Sequence, residues 1–236
     1  MTPALPAARP ARLEAVLLDA GGVLLDLDYK YLRRLLDARG VDVSVDELSR
    51  LEALARTEIE RSVQLGGRTG EAWREYFRFI LAHARVAPEH HDALIDTLWD
   101  AHARFGLWTV PIPGAVETVR ALRRRGLRIG VVSNAEGRVE QDLRAAGFDG
   151  LLDVVVDSHV VGVEKPDPRI FEIALERLGV APGEAVFLGD VPSVDIAGAR
   201  RAGVFAVLLD RHDLYPTCDA PRLHSIADLQ DWIEPR

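Results

Sequence analysis

The sequence predicts an α/β fold: a parallel sheet buried on both faces, with a helical bundle inserted after its first strand. Two contrasts predict it. Short unbroken apolar runs recur as "AVLLD" (15–19), "LRIGVVSN" (127–134), "LLDVVVDS" (151–158), "AVFLGD" (185–190) and "VFAVLLD" (204–210). Helix-length amphipathic segments or Gly/Pro breaks separate them, the pattern of parallel strands covered on both sides. Residues 29–105, by contrast, carry helical periodicity throughout and no convincing strand. A chain of 236 residues has room for one large or two modest domains with a real core.

Taken in order, "MTPALPAARPAR" at the N-terminus has three prolines and no apolar core, so a flexible leader is expected rather than a signal peptide. The first strand follows at 15–19. Four helical faces come next: Tyr29, Leu32, Leu35 and Leu36; Leu48, Leu51, Ala55 and Ile59; Trp73, Tyr76, Phe77, Ile80, Leu81 and Ala84; and Leu94, Leu98, His102 and Phe105. The breaks between them are "RGVDVS" (39–44), "GGRTG" (66–70) and "VAPE" (86–89). The aromatic face at 73–84 has the spacing any buried helix needs, so it reads as core rather than as a ligand groove. "GLWTVPIPG" (106–114), stiffened by two prolines, returns the chain to the sheet. Helices are expected to close the later strand connections at about 137–146 and 193–202, and "SIADLQDWIEPR" reads as a terminal helix covering the sheet.

Composition excludes several classes. The formal net charge of −8 argues against nucleic acid as a partner. The one dense basic run, "RALRRRG" (120–126), suits the C-terminal turn of a helix, where cations are favoured. A single cysteine, Cys218, rules out an internal disulfide and fits a reducing cytoplasm. No apolar stretch approaches the ~18 residues of a membrane span. Oligomeric state, monomer or homodimer, stays open.

Ligands of an open parallel sheet bind beyond the carboxyl ends of its strands. There the sequence places Asp19, then Ser133 and Asn134, then Lys165 in "GVEKPDP", then Asp190 at the end of "FLGD" and Asp195 five residues on. Each also has a local structural reading. Asp19 could begin a turn, Ser133 or Asn134 could cap the helix near 137, and Asp190 and Asp195 could serve the start of the next helix. Together, however, they would gather three carboxylates, a hydroxyl and an ammonium at one sheet edge. Carboxylates forced together repel unless a cation joins them. Magnesium, which takes a few carboxylates and completes its shell with water and phosphate, is the natural candidate. Lys165 and Lys30 are the only lysines among 29 basic residues. Where arginine is the usual cation, a lysine just beyond a strand suggests a compact point charge.

The ordered set "LLDAGGVL", "VVSN", "EKPDPRIF" and "FLGDVPSVDIAGARRAG", spanning about 13–210, resembles the haloacid dehalogenase superfamily, mostly magnesium-dependent phosphohydrolases. The resemblance implies a doubly wound, Rossmann-like core at 1–26 and 109–236 and a lid-forming helical cap at 27–108. It implies Asp19 as the nucleophile that becomes an aspartyl-phosphate, and Ser133 as a donor to a phosphoryl oxygen. Lys165 would steady the nucleophile and the developing charge. Asp19, Asp190, Asp195 and the backbone carbonyl of Gly21 would hold Mg2+. The substrate would be a small phosphorylated metabolite, met by Ser133, Asn134 and Lys165, with Arg68 in the cap break as a further candidate contact.

One position departs from the pattern. Phosphatases of this kind usually carry at position 21 an aspartate that protonates the leaving oxygen and later activates water, whereas dehalogenases tend to have an aromatic residue there. Gly21 keeps the carbonyl and loses the acid. The expected activity is therefore a slow phosphatase. Two alternatives are a metal-independent 2-haloacid dehalogenase and a member that binds a phosphorylated ligand or a protein without turnover. Asp190 and Asp195 argue against the dehalogenase, and an intact nucleophile argues against the pure binder.

Overall fold

The computed structural model describes residues 10–64 and 73–234. The chain forms two compact units, one running to Asp26 and resuming at Val110, the other Leu27–Thr109. Ile59 keeps its helical backbone, but its side chain lies outside the described set, and so does the whole of Arg68.

Strand β1 (Ala15–Leu18) is buried at every position. A glycine turn follows, and β2 (Leu25–Leu27) carries the chain out of the first unit. Helix α1 (Tyr29–Asp37) starts at Asp28, whose carboxylate accepts the Tyr31 N–H at 2.9 Å, an ordinary N-cap. Helices α2 (Val45–Gln64), α3 (Trp73–His83) and α4 (His91–Phe105) follow, so among the described residues the periodicity at 29–105 gives four α-helices. Their core includes Leu32, Leu36, Leu48, Phe77, Ile80 and Leu98. Phe105, expected to face inward, is 52% exposed: it is the last residue before the helix stops at Gly106, and its ring meets that of Tyr31 edge to face at 5.7 Å. Glu52 is the buried charge of this unit. Arg56 donates to it from Nε at 2.8 Å, and the hydroxyls of Tyr29 and Tyr76 donate as well, so it is paired and hydrogen-bonded as burial of an ion requires.

The return segment contains a strand that the sequence reading does not show. Trp108–Pro111, β3, pairs with β2 as a two-stranded ribbon. Pro111 hides it, since proline is compatible with a strand only at an edge or end. Helix α5 (Ala115–Arg124) ends in the basic run, as expected. Then come β4 (Arg128–Ser133), α6 (Val139–Leu143), β5 (Val154–Asp157), α7 (Ser158–Val161) and α8 (Pro168–Leu178). Helix α8 is written plainly in the sequence: Asp167 caps it, Pro168 takes its first position, and Gly179 ends it in a left-handed conformation at φ 66°. The chain closes with β6 (Ala185–Gly189), α9 (Ala197–Arg201), β7 (Phe205–Leu209), β8 (Arg222–Leu223) and α10 (Asp228–Ile233), where Trp232 meets the ring of Phe205.

The sheet has six parallel strands in the order β5-β4-β1-β6-β7-β8. From β1 the chain winds outward through β4 to β5, then crosses back to β6 on the other side. That reversal makes the carboxyl ends of β1, β4 and β6 the switch point of the fold. On one face Leu17, Val132, Phe187 and Leu208 of the sheet pack with Ile170, Phe171 and Leu175 of α8. Among the described residues, no helix is long and apolar enough to cross a membrane.

Candidate active site

Leu18 pairs with Val131 of β4 and Leu188 of β6, so Asp19 leaves the sheet between those strands, and its N–H still donates to Leu188 O at 2.9 Å. Ser133 ends β4, buried, and Asp190 follows β6 directly. A tight turn then folds back after Asp19: Leu24 and Leu25 N–H both donate to Ala20 O, at 2.8 and 2.9 Å. Gly22 has φ 79°, a conformation glycine adopts without cost, whereas Gly21 is not left-handed.

Of the strand-end candidates, Asp19, Lys165, Asp190 and Asp195 come together in one cluster. Lys165 Nζ lies 2.8 Å from Asp19 Oδ1 and 2.7 Å from Asp195 Oδ1, and its side chain is only 2% exposed. Asp19 Oδ1 also accepts the Ala20 N–H at 2.7 Å. The other oxygen of Asp195 accepts the N–H groups of Asp190 and Val191, both at 2.9 Å, so Asp195 shapes the very loop that carries Asp190. Val191, not Asp190, occupies the capping position of the wide turn Pro192–Ile196, so the local reading of Asp190 as a helix cap is not what the structure shows. Burial pushes the Asp19 carboxyl above the ordinary carboxylate range. Lys165 opposes that rise, and the charge of Asp195 adds to it. For Lys165 burial acts to lower the pKa, but Asp19 and Asp195 outweigh it and hold the ammonium above the ordinary lysine value.

Carboxylate oxygens of Asp19, Asp190 and Asp195 lie within 4.8 Å of one another, all three residues buried. Counted formally as ionised groups, the three carboxylates and the Lys165 ammonium sum to an excess of two negative charges. A divalent cation matches that excess, and an all-oxygen donor set suits a hard one such as Mg2+. The residues present therefore fit a magnesium ion.

Several supporting contacts escape a reading of the sequence. The amide of Asn134 is engaged at both ends with the backbone of Lys165: Nδ2 donates to its carbonyl at 2.9 Å and Oδ1 accepts its N–H at 2.7 Å. It supports the lysine instead of capping the next helix. Asp157, the register partner of Ser133, is buried and accepts the N–H groups of Gly137 and His159 at 2.9 and 3.0 Å. Ser158 Oγ accepts the Ala135 N–H and donates to its carbonyl. The end of β5 thus clamps the loop after Ser133; the "DS" after "LLDVVV" is the only trace of this in the sequence.

Gly189 makes another such contact. A Cβ there would lie 2.4 Å from Asp195 Cβ and 2.6 Å from both its Cγ and the Phe187 ring. Gly189→Ala is expected to displace Asp195 from Lys165. Turnover should fall on the order of 10²-fold, as for an ångström-scale misplacement at a reacting centre, against about 1–3 kcal/mol of overpacking. Steady-state kinetics beside a thermal melt checks this; unchanged turnover in a folded variant would contradict it.

The sequence profile of the haloacid dehalogenase-like hydrolases matches residues 13–203. A phosphoserine phosphatase of Thermus thermophilus is 38% identical over 165 residues, 69% of this chain and 65% of that protein. An (S)-2-haloacid dehalogenase 4A of Burkholderia cepacia is 29% identical over 93% of both chains. A solved dehalogenase superposes with a TM-score of 0.68 at 26% identity, covering 96% of this chain and 99% of its own. The solved dehalogenase thus shares the fold found here, and the chain belongs to the haloacid dehalogenase-like hydrolase family.

Proposed function

We propose that the protein is a Mg2+-dependent phosphatase of small phosphorylated metabolites, acting through an aspartyl-phosphate on Asp19. The observation that carries this reading is the junction of Lys165 with Asp19 and Asp195 at 2.8 and 2.7 Å, with Asp190 in the same cluster. A phosphoryl group needs concentrated, positioned charge of this kind. A metal-free site for a haloacid carboxylate has no use for a further pair of buried anions.

Lys165 and the Ala20 N–H both engage Asp19 Oδ1, which leaves Oδ2 to attack phosphorus. The new O–P bond forms as the ester P–O bond breaks; a departing alkoxide takes its proton from water, and an aryl oxide leaves without one. Water then attacks phosphorus, the Asp19–phosphate bond breaks, and inorganic phosphate leaves with the carboxylate restored. Ser133 donates to a phosphoryl oxygen, and Lys165 offsets the charge that develops there. Asp19, Asp190, Asp195 and the Gly21 carbonyl would hold Mg2+, which when bound neutralises phosphoryl charge. The helical unit is the cap that selects substrate, with Arg68 as its candidate contact.

No side chain at position 21 supplies the proton, and the two carboxylates that next follow it in sequence are engaged elsewhere. Asp26 is in an ion pair with Arg211, and Asp28 caps α1. The enzyme should therefore favour leaving groups of low pKa. Aryl and acyl phosphates should turn over at least about 10²-fold faster than alkyl phosphates, the low end of what general acid catalysis contributes. EDTA should abolish both activities. Equal rates on aryl and alkyl esters would contradict the missing proton donor, and EDTA-resistant turnover would contradict the metal.

The dehalogenase relatives favour a second reading, displacement of halide by Asp19 without metal. Chloride release from 2-chloropropionate in EDTA would establish it. The proposed phosphatase releases none.

A further inference from the structure

We propose that Arg211 is a positioning residue: through Asp26 it fixes β2, and with it the turn that presents Asp19 and the Gly21 carbonyl. The inference rests on the reading of that turn as the platform of phosphoryl transfer. Arg211 meets Asp26 fork to fork, one guanidinium nitrogen 2.5 Å from Oδ1 and the other 3.2 Å from Oδ2, across 185 residues of sequence. Their side chains are 20% and 13% exposed, so water screens the pair far less than a surface ion pair.

The two ends of this contact differ in stiffness. Among the described residues, the three-residue β2 pairs only with β3. Yet Leu25 of that strand holds the glycine turn: Gly22 N–H donates to its carbonyl at 2.8 Å, its own N–H reaches Ala20 O, and Gly21 forms a bridge to it. Asp26 is the next residue. Displacing Asp26 therefore displaces Leu25 and, one hydrogen bond away, Gly21 and Gly22.

At the other end the neighbour of Arg211 is anchored on all sides. The buried carboxylate of Asp210 accepts the N–H groups of Leu214 and Tyr215 at 2.8 and 3.0 Å and meets Arg222 at 3.2 Å. The Asp210 N–H donates to Leu223 O at 2.8 Å. A braced loop thus holds a compliant strand. A planar two-point contact fixes direction as well as distance, which a lysine's point charge cannot do.

Arg211→Gln, Arg211→Lys and the isosteric Asp26→Asn test this, read by amide hydrogen exchange without metal or substrate and by steady-state kinetics on an aryl phosphate. Exchange is expected to quicken across residues 19–27 in Arg211→Gln and Asp26→Asn, with Arg211→Lys intermediate, while β1, β4 and β6 stay protected. Turnover should fall on the order of 10²-fold with KM changed about twofold or less, the mark of a group that acts on the transition state. Exchange at 19–27 equal to the parent's, or a rise spread evenly over the sheet, would overturn the proposal. If Arg211→Gln does not fold, Asp26→Asn decides alone. If the parent protein turns over no phosphate ester, the proposed function fails, while the exchange measurement still decides the role of Arg211.

Discussion

Gly21→Asp is expected to raise turnover of alkyl phosphates by about 10²–10⁴-fold, the usual contribution of a positioned general acid, while changing aryl phosphate cleavage much less. The backbone admits the change. Gly21 is not in the left-handed region that excludes side chains, and it lies in a turn held by the hydrogen bonds of Ala20 and Gly22 with Leu25. A carboxyl there sits two residues beyond Asp19, on the same turn. Aryl leaving groups depart without a proton, so the acid adds little for them. Rates for alkyl and aryl esters on parent and variant decide the matter. If the alkyl rate does not rise, another group already supplies the proton, and neither Asp26 nor Asp28 is free to be that group.

Lys165→Met should be the most destabilising single change at the site. Lys165 is the only described ion-pair partner of both Asp19 and Asp195, and without it three buried carboxylates face one another. Breaking a buried ion pair by removing one partner costs about 3–5 kcal/mol, on the order of 10 °C in Tm for a chain of this size. Millimolar Mg2+ should recover part of that loss, because a cation held by the carboxylates binds the folded state alone. Phosphatase activity should not return, since the metal does not replace the lysine's contact with Asp19. Thermal melts of parent and variant with Mg2+ and with EDTA test both statements. A Tm equal to the parent's in EDTA would contradict the electrostatic account of the cluster.

Much of this site is legible in the sequence because it is built from strand ends. Five apolar runs mark five of the six strands of the main sheet, and Asp19, Ser133 and Asp190 stand at the carboxyl ends of three adjacent ones, β1, β4 and β6. Asp19, Ser133, Lys165, Asp190 and Asp195 could thus be named without knowing any distance. The groups that hold them are less visible. Asn134 reads as a helix cap or a substrate contact, and only its bonds to the Lys165 backbone show what it supports. Asp157 and Ser158 act on a loop about 20 residues earlier, through register between β4 and β5 that no local pattern encodes. Strand β3 is disguised by its proline. The Arg211–Asp26 pair joins residues with no periodic or motif relation. Glu52 reads as an ordinary surface position of an amphipathic helix until Tyr29 and Tyr76 arrive from two other helices.

The central claim is that Asp19 itself becomes phosphorylated. Rapid acid quench of the enzyme with an aryl phosphate and Mg2+, followed by peptide mass spectrometry, tests it most directly. The account predicts one phosphoryl group on the peptide containing Asp19, lost on treatment with hydroxylamine and absent from Asp19→Asn. Phosphate release at full rate by Asp19→Asn, or a label found on any other residue, would contradict it.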